Sequence, residues 1–227
     1  MKVLAIGAHP DDLEMFCGGT LARFAARGDE VTMCHASVGN LGVPGEDPSK
    51  LGDSRTQEAR RAAELAGARH ATLGLHDGGI RSEDPEQRLL VEELVRRSAP
   101  DLVITHAEGD YHPDHRELCR LVLDATHLAA NPSRKSAHPP LGGHVPIVHV
   151  ETEKGLGFEP TEWVDITPVI EVKREMVACH ASQFEPIELE QLHATDQFRG
   201  MQCGVDYAEA FRPCLRWLRV RTARLLP

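Results

Sequence analysis

His9-Pro10-Asp11-Asp12 and His112-Pro113-Asp114-His115 are two copies of one short pattern, each following an apolar run. Imidazoles and carboxylates at this density point to a metal site. Proline fixes φ and lacks an N–H, so it suits the first position of a helix and makes the preceding residue a cap. His9 and His112 are therefore expected caps. Asp12 and His115 follow three residues on, which sets each on the same side of the first helical turn as its histidine. Two histidines and a carboxylate with an open fourth position form a catalytic rather than a structural zinc set, which assigns His9, Asp12 and His115 as ligands. Ferrous iron accepts the same face. Asp11 is the expected general base, since a carboxylate beside the ion can take the proton of the attacking water. A protonated His112 would stabilise the oxyanion and protonate a leaving amine, and Asp114 would orient His112 or a ligand.

A lone His-Pro-Asp is also an ordinary turn and helix-start sequence. What raises the pair above that reading is where the two copies fall. Val3-Leu4-Ala5-Ile6 and Leu102-Val103-Ile104 are short and branched, as buried parallel strands are. The pattern predicts strand 2–8, helix 12–27, strand 30–36, helix 53–67, strand 70–74, helix 85–98 and strand 101–105. This is the alternation of an α/β fold: one Rossmann-like three-layer domain over 1–227 with a mostly parallel sheet. In the order 3-2-1-4-5 the first and fourth strands are neighbours, and ligands bind outside their C-terminal ends. Both copies sit there.

The other histidines carry a packing default. It is assigned to His70, His127, His138, His144, His149 and His193. His35 and His106 at strand ends, His180 before Ser182-Gln183, and His76 beside Asp77 stand nearer to function. The glycine- and proline-rich stretches Gly39–Asp53 and Ala130–Pro146 are expected loops that rim the substrate site.

At 227 residues with 41% hydrophobic content, the chain can bury one substantial core. A net charge of −10 without a basic stripe argues against a nucleic-acid partner. No apolar run is long enough to span a membrane, and Met1-Lys2 leads straight into the first strand without a signal segment. The six cysteines are scattered without a C-x-x-C pair, which suits a reducing cytoplasm.

Ala8-His9-Pro10-Asp11-Asp12-Leu13-Glu14 with Gly18-Gly19-Thr20, followed by His112-Pro113-Asp114-His115, resembles the LmbE/PIG-L family of zinc-dependent N-acetylglucosaminyl deacetylases. Gly39-Asn40, Arg55 with Glu58, Pro100-Asp101, Phe158 to Thr161, Val164 to Thr167, His180 to Gln183 and Gly204 to Phe211 extend the likeness along nearly the whole chain. The resemblance implies a divalent metal on the three named ligands, hydrolysis of an N-acyl group on an amino sugar, Asp11 as base and His112 as its electrostatic partner. It also implies that Arg55 contacts substrate and that the chain forms homo-oligomers. Some relatives steady the oxyanion with a tyrosine; Tyr111 and Tyr207 are the tyrosines here, and neither is assigned that role.

Three functions compete. The leading one is metal-dependent deacetylation of an N-acetylglucosamine-containing small molecule. The second is an amidase acting on a larger thiol-sugar conjugate. The third, a non-catalytic nucleotide-binding module, is disfavoured because no G-x-G-x-x-G follows the first strand and two aspartates there would repel a pyrophosphate.

Overall fold

β1 (Lys2–Gly7) alternates between two cores. Leu4 and Ile6 pack with Val103, Leu118 and Val122, whereas Val3 and Ala5 pack with Leu13, Leu21, Ala62 and Met176. A strand whose successive side chains are both buried belongs at the centre of a sheet covered on both faces. A computed structural model, which describes residues 1–184 and 186–216, shows that sheet. Of the expected domain, residues 217–227 lie outside the described residues.

The elements run β1, α1 (Asp12–Ala26), β2 (Glu30–Ser37), α2 (Pro48–Leu65), β3 (Arg69–Leu75), α3 (Pro85–Ser98), β4 (Leu102–Thr105), α4 (Pro113–Ala129), β5 (Ile147–Val150), β6 (Glu162–Asp165), α5 (Ile170–Ala178), α6 (Pro186–Cys203) and β7 (Ala208–Pro213). The sheet order is β3-β2-β1-β4-β5-β7-β6. The first five strands in that order are parallel, and β7 pairs antiparallel with both β5 and β6. Residues of α3 and α4 fill one core and residues of α1, α2 and α5 the other, so the architecture is the expected three-layer α/β fold with β1 beside β4.

Two expectations are corrected. α2 begins at Pro48 rather than at residue 53: the Asp47 carboxylate accepts from the amides of Ser49 and Lys50, both at 3.0 Å, and Pro48 takes the first helical position. Gly52 and the polar run around it disguise that first turn as loop. The second correction concerns 130–146. Because α4 starts at the strand C-terminal ends and runs back along the sheet, the segment after it returns at the opposite end. There Arg96 donates to the Asn131 carbonyl at 2.8 Å, and Leu141 and Val145 pack on the core. This segment braces α3 and α4.

Candidate active site

Val3 to Ile6 lie in register with Leu102 to Thr105, so the chain leaves β1 and β4 at the same sheet edge. The two copies of the motif then behave differently. His112 caps α4 as expected, its Nδ1 accepting from the Asp114 amide at 3.2 Å. His9 is not a cap. Asp11 holds the N-cap position of α1, with φ of 120° and no capping hydrogen bond from its side chain. Such backbone costs about 1–3 kcal/mol in a non-glycine residue and persists only where the surroundings impose it. Arg55 imposes it here: Nη2 donates to the Pro10 carbonyl at 2.7 Å and to Asp11 Oδ2 at 2.9 Å, and Nη1 donates to the Gly39 carbonyl at 2.9 Å.

The imidazoles converge on Asp12. His9 Nδ1 stands 3.4 Å from Asp12 Oδ2, and His115 Nε2 stands 3.2 Å from Asp12 Oδ1. Donors around a tetrahedral ion with bonds of about 2.0–2.1 Å are separated by about 3.3 Å, and the His9–Asp12 and Asp12–His115 pairs each stand near that separation, through different oxygens of Asp12. Carboxylates stand beside the outer nitrogens. His9 Nε2 is 3.2 Å from Asp114 Oδ2 and 3.3 Å from Asp77 Oδ1, and His115 Nδ1 is 3.1 Å from Asp110 Oδ2. A carboxylate behind a ligating histidine fixes its tautomer and ring plane.

His106 stacks on His115 with ring centroids 3.8 Å apart, and its Nε2 lies 3.2 Å from Asp12 Oδ2. That nitrogen accepts from the Ala8 amide at 2.9 Å, so its lone pair is committed. His106 therefore stands against His115 with its Nε2 lone pair already used.

Charge points the same way. Asp11, Asp12, Asp77, Asp110 and Asp114 crowd one small volume against Arg55. Burial works against a charged His9, yet hydrogen bonds to the carboxylates of Asp114, Asp12 and Asp77 push its pKa up to about 12. His115, likewise opposed by burial, is raised to about 9 by Asp12 and Asp110. His106, buried and facing His115, falls to about 4. Burial raises Asp11 to about 6 against the pull of the Arg55 guanidinium. The elevated proton affinity of His9 and His115 expresses a local deficit of positive charge, which a divalent cation would fill. The donor set fits such an ion.

His9, Asp11, Asp12, Arg55, Asp77 and His115 line a cleft of ≈ 400 Å³. Gly42 borders it from the first expected rim loop, and the segment Glu151–Lys154 after β5, together with Gln183 and Phe184, completes the wall.

Residues 4–126 match the family model PIG-L, described as GlcNAc-PI de-N-acetylase. The diacetylchitobiose deacetylase of Thermococcus kodakarensis is 30% identical over 231 residues, covering 93% of this chain and 82% of that protein. The chain belongs to the PIG-L family. The crystal structure of the conserved protein TT1542 from Thermus thermophilus superposes with a TM-score of 0.84 at 32% identity, covering 99% of this chain and 100% of that one. The 1D-myo-inositol 2-acetamido-2-deoxy-alpha-D-glucopyranoside deacetylase of Thermomonospora curvata is 29% identical over 61% of this chain and 56% of its own length. The chain thus spans just over half of that relative.

Within this PIG-L chain, Arg55 borders the cleft but is only 3% exposed, its guanidinium turned onto Asp11 and two carbonyls. Asp114 turns its carboxylate toward His9, taking the Gly78 amide on the same oxygen at 2.7 Å. Of the tyrosines, Tyr111 stands at the cleft rim edge-on to His112 and His115, while the Tyr207 hydroxyl takes donors from Arg174 and Gln197. Asp110 escaped the sequence reading. The available signal was its position two residues before His112, where a carboxylate takes the cap's amide, here at 2.9 Å. Glu14 is fully buried between His35 and His180, 3.3 and 3.4 Å away, beneath the first turn of α1. These three residues support the motif from behind.

Among the described residues no helix is long and apolar enough to cross a membrane.

Proposed function

We propose that this protein is a zinc-dependent N-deacetylase that hydrolyses the N-acetyl group of an N-acetylglucosamine-containing small molecule, releasing acetate and a free amine. The observation that carries this reading is that His9 and His115, one from each motif copy, both close on Asp12 in the wall of a cleft, in a chain of the PIG-L family. The Thermococcus relative is a diacetylchitobiose deacetylase and the Thermomonospora relative a deacetylase of an inositol-linked 2-acetamido sugar, which supports an amino-sugar substrate.

A divalent ion held by His9, Asp12 and His115 would supply Lewis acidity toward water and the acyl oxygen. Asp11 takes the proton of the attacking water. Arg55 engages Oδ2 of that carboxylate, which leaves Oδ1 as the accepting atom. The Asp114 amide occupies Nδ1 of His112, so the imidazole keeps its N–H on Nε2 and donates it to the oxyanion as a neutral ring. Asp11 then returns its proton to the nitrogen as the C–N bond breaks. This differs from the expectation of a protonated His112, because a ring that accepts a backbone N–H is the neutral tautomer.

The first test combines metal analysis with acetate release from N-acetylglucosamine and its conjugates by native, chelated and zinc-restored protein. Chelation is expected to abolish release and zinc to restore it, and His115→Ala to lose both ion and turnover. Release that persists in fully chelated protein would overturn the reading. Ferrous iron is separated from zinc by metal analysis after anaerobic purification. The larger thiol-sugar conjugate is retained as a comparison substrate.

Arg55 serves this chemistry by positioning Asp11 rather than by gripping the sugar. Arg55→Lys is expected to lower kcat by about 10–100-fold, since an ammonium cannot reproduce the fork that reaches both carbonyls and the carboxylate. A rise confined to KM would return Arg55 to the substrate-contact role.

The same proposal treats 1–227 as one domain and sets it in a reducing cytoplasm, in keeping with six free thiols. Family likeness carries the expectation of a homo-oligomer, which sedimentation velocity reads directly.

A further inference from the structure

We propose that the chain carries a second cation site, distinct from the His9/Asp12/His115 centre and independent of the deacetylase reading, in which Glu108, His149 and Cys214 take a thiophilic divalent ion such as Zn²⁺. One donor atom from each of these residues lies within 4.8 Å of the other two. The three come from separate elements that only the sheet brings together. Glu108 follows β4, His149 sits in β5 opposite Thr105, and Cys214 follows β7, its amide donating to the Ile147 carbonyl at 2.9 Å.

The imidazole is already set as a ligand. His149 is 3% exposed, and its Nδ1 stands 2.7 Å from the His106 carbonyl oxygen. A carbonyl only accepts, so the N–H is on Nδ1 and the lone pair on Nε2. Ligating histidines are oriented in this way, by donating the other ring N–H to a carbonyl or carboxylate. Cys119 Sγ lies 3.8 Å from Nδ1, on the protonated edge of the ring, and stays outside the set. Nitrogen, thiolate and carboxylate together with one water make a set suited to zinc or cadmium and poorly suited to magnesium or calcium. Metal binding deprotonates the thiol. Without the ion the Glu108 carboxylate is paired with Arg216, whose Nε and Nη2 lie 3.0 Å from its oxygens at the surface. An ion at this site would clasp the segment after β7 to the ends of β4 and β5, so its role is a structural latch.

Cobalt(II) and cadmium(II) titrations of the reduced full chain test this, because the first centre contains no sulfur. Wild type is expected to bind two ions per chain and to show a near-ultraviolet thiolate-to-cobalt charge-transfer band. Cys214→Ser removes the band and one ion, whereas His115→Ala removes the other ion and keeps the band. Glu108→Gln weakens the sulfur-containing site while leaving the half-buried thiol in place. Arg216→Ala tightens it by about two- to fivefold, the worth of an exposed ion pair relieved. The second equivalent raises Tm in wild type and not in Cys214→Ser. A wild-type chain without the band, a band that survives Cys214→Ser, or weaker binding in Arg216→Ala would each overturn the proposal.

Discussion

Asp11→Asn is expected to lower kcat for N-acetyl hydrolysis by about 10²–10⁴-fold while leaving ion content at the wild-type level. Asparagine keeps the size of the side chain and an oxygen for the Arg55 fork, and it is among the residues that best tolerate positive φ, so the turn at 120° survives the change. What disappears is an oxygen that can take and return a proton. With His9, Asp12 and His115 as the proposed ligands, the variant isolates proton transfer from metal binding. Near-normal turnover would remove Asp11 from the base role, and loss of the ion would make it a ligand.

Lys173→Met is expected to destabilise the fold by about 3–5 kcal/mol, the cost of leaving buried charges without their partner. Lys173 is 2% exposed, with Nζ 2.7 Å from Asp196 Oδ1 and 2.9 Å from Glu209 Oε1. The Glu209 carboxylate also accepts the Gly19 and Thr20 amides of α1 at 2.9 and 2.7 Å. This ammonium therefore ties α5 to α6, β7 and α1 at one point, and methionine would leave two carboxylates facing each other beside the cleft. At about 2–4 °C per kcal/mol for a chain of this size, thermal unfolding should fall by roughly 6–20 °C. A variant within 1 kcal/mol of wild type in urea would show the cluster to be solvated. Restoring stability with Asp196→Asn in the same chain would confirm that the cost is electrostatic.

Much of the architecture is legible in local patterns. Branched apolar runs mark β1, β2 and β4, proline after a polar residue marks the start of α3 and α4, and the order of these elements implies a parallel sheet with β1 beside β4. From that order follows the meeting of the two motif copies, which makes His9, Asp12 and His115 a candidate set before any coordinates. The antiparallel end of the sheet is not legible in this way. β5 and β6 are four residues each, and Glu209 sits buried in β7 because Lys173 awaits it on a helix far away in the chain.

The chemistry is divided along the same line. Residue types and short spacing are local properties, and they suffice to nominate candidate ligands and a candidate base. Contacts between distant segments are not local. The positive φ of Asp11 depends on Arg55, 44 residues along the chain. Asp77 and Asp110 come beside His9 and His115 only when the loops after β3 and β4 bring them there. His106 has the composition of a ligand, but the Ala8 amide, donated from a neighbouring strand, occupies its lone pair. Spacing along a chain specifies which groups are near each other in one helix or turn; which lone pair stays free, and which backbone is strained, depends on what the rest of the fold packs against them.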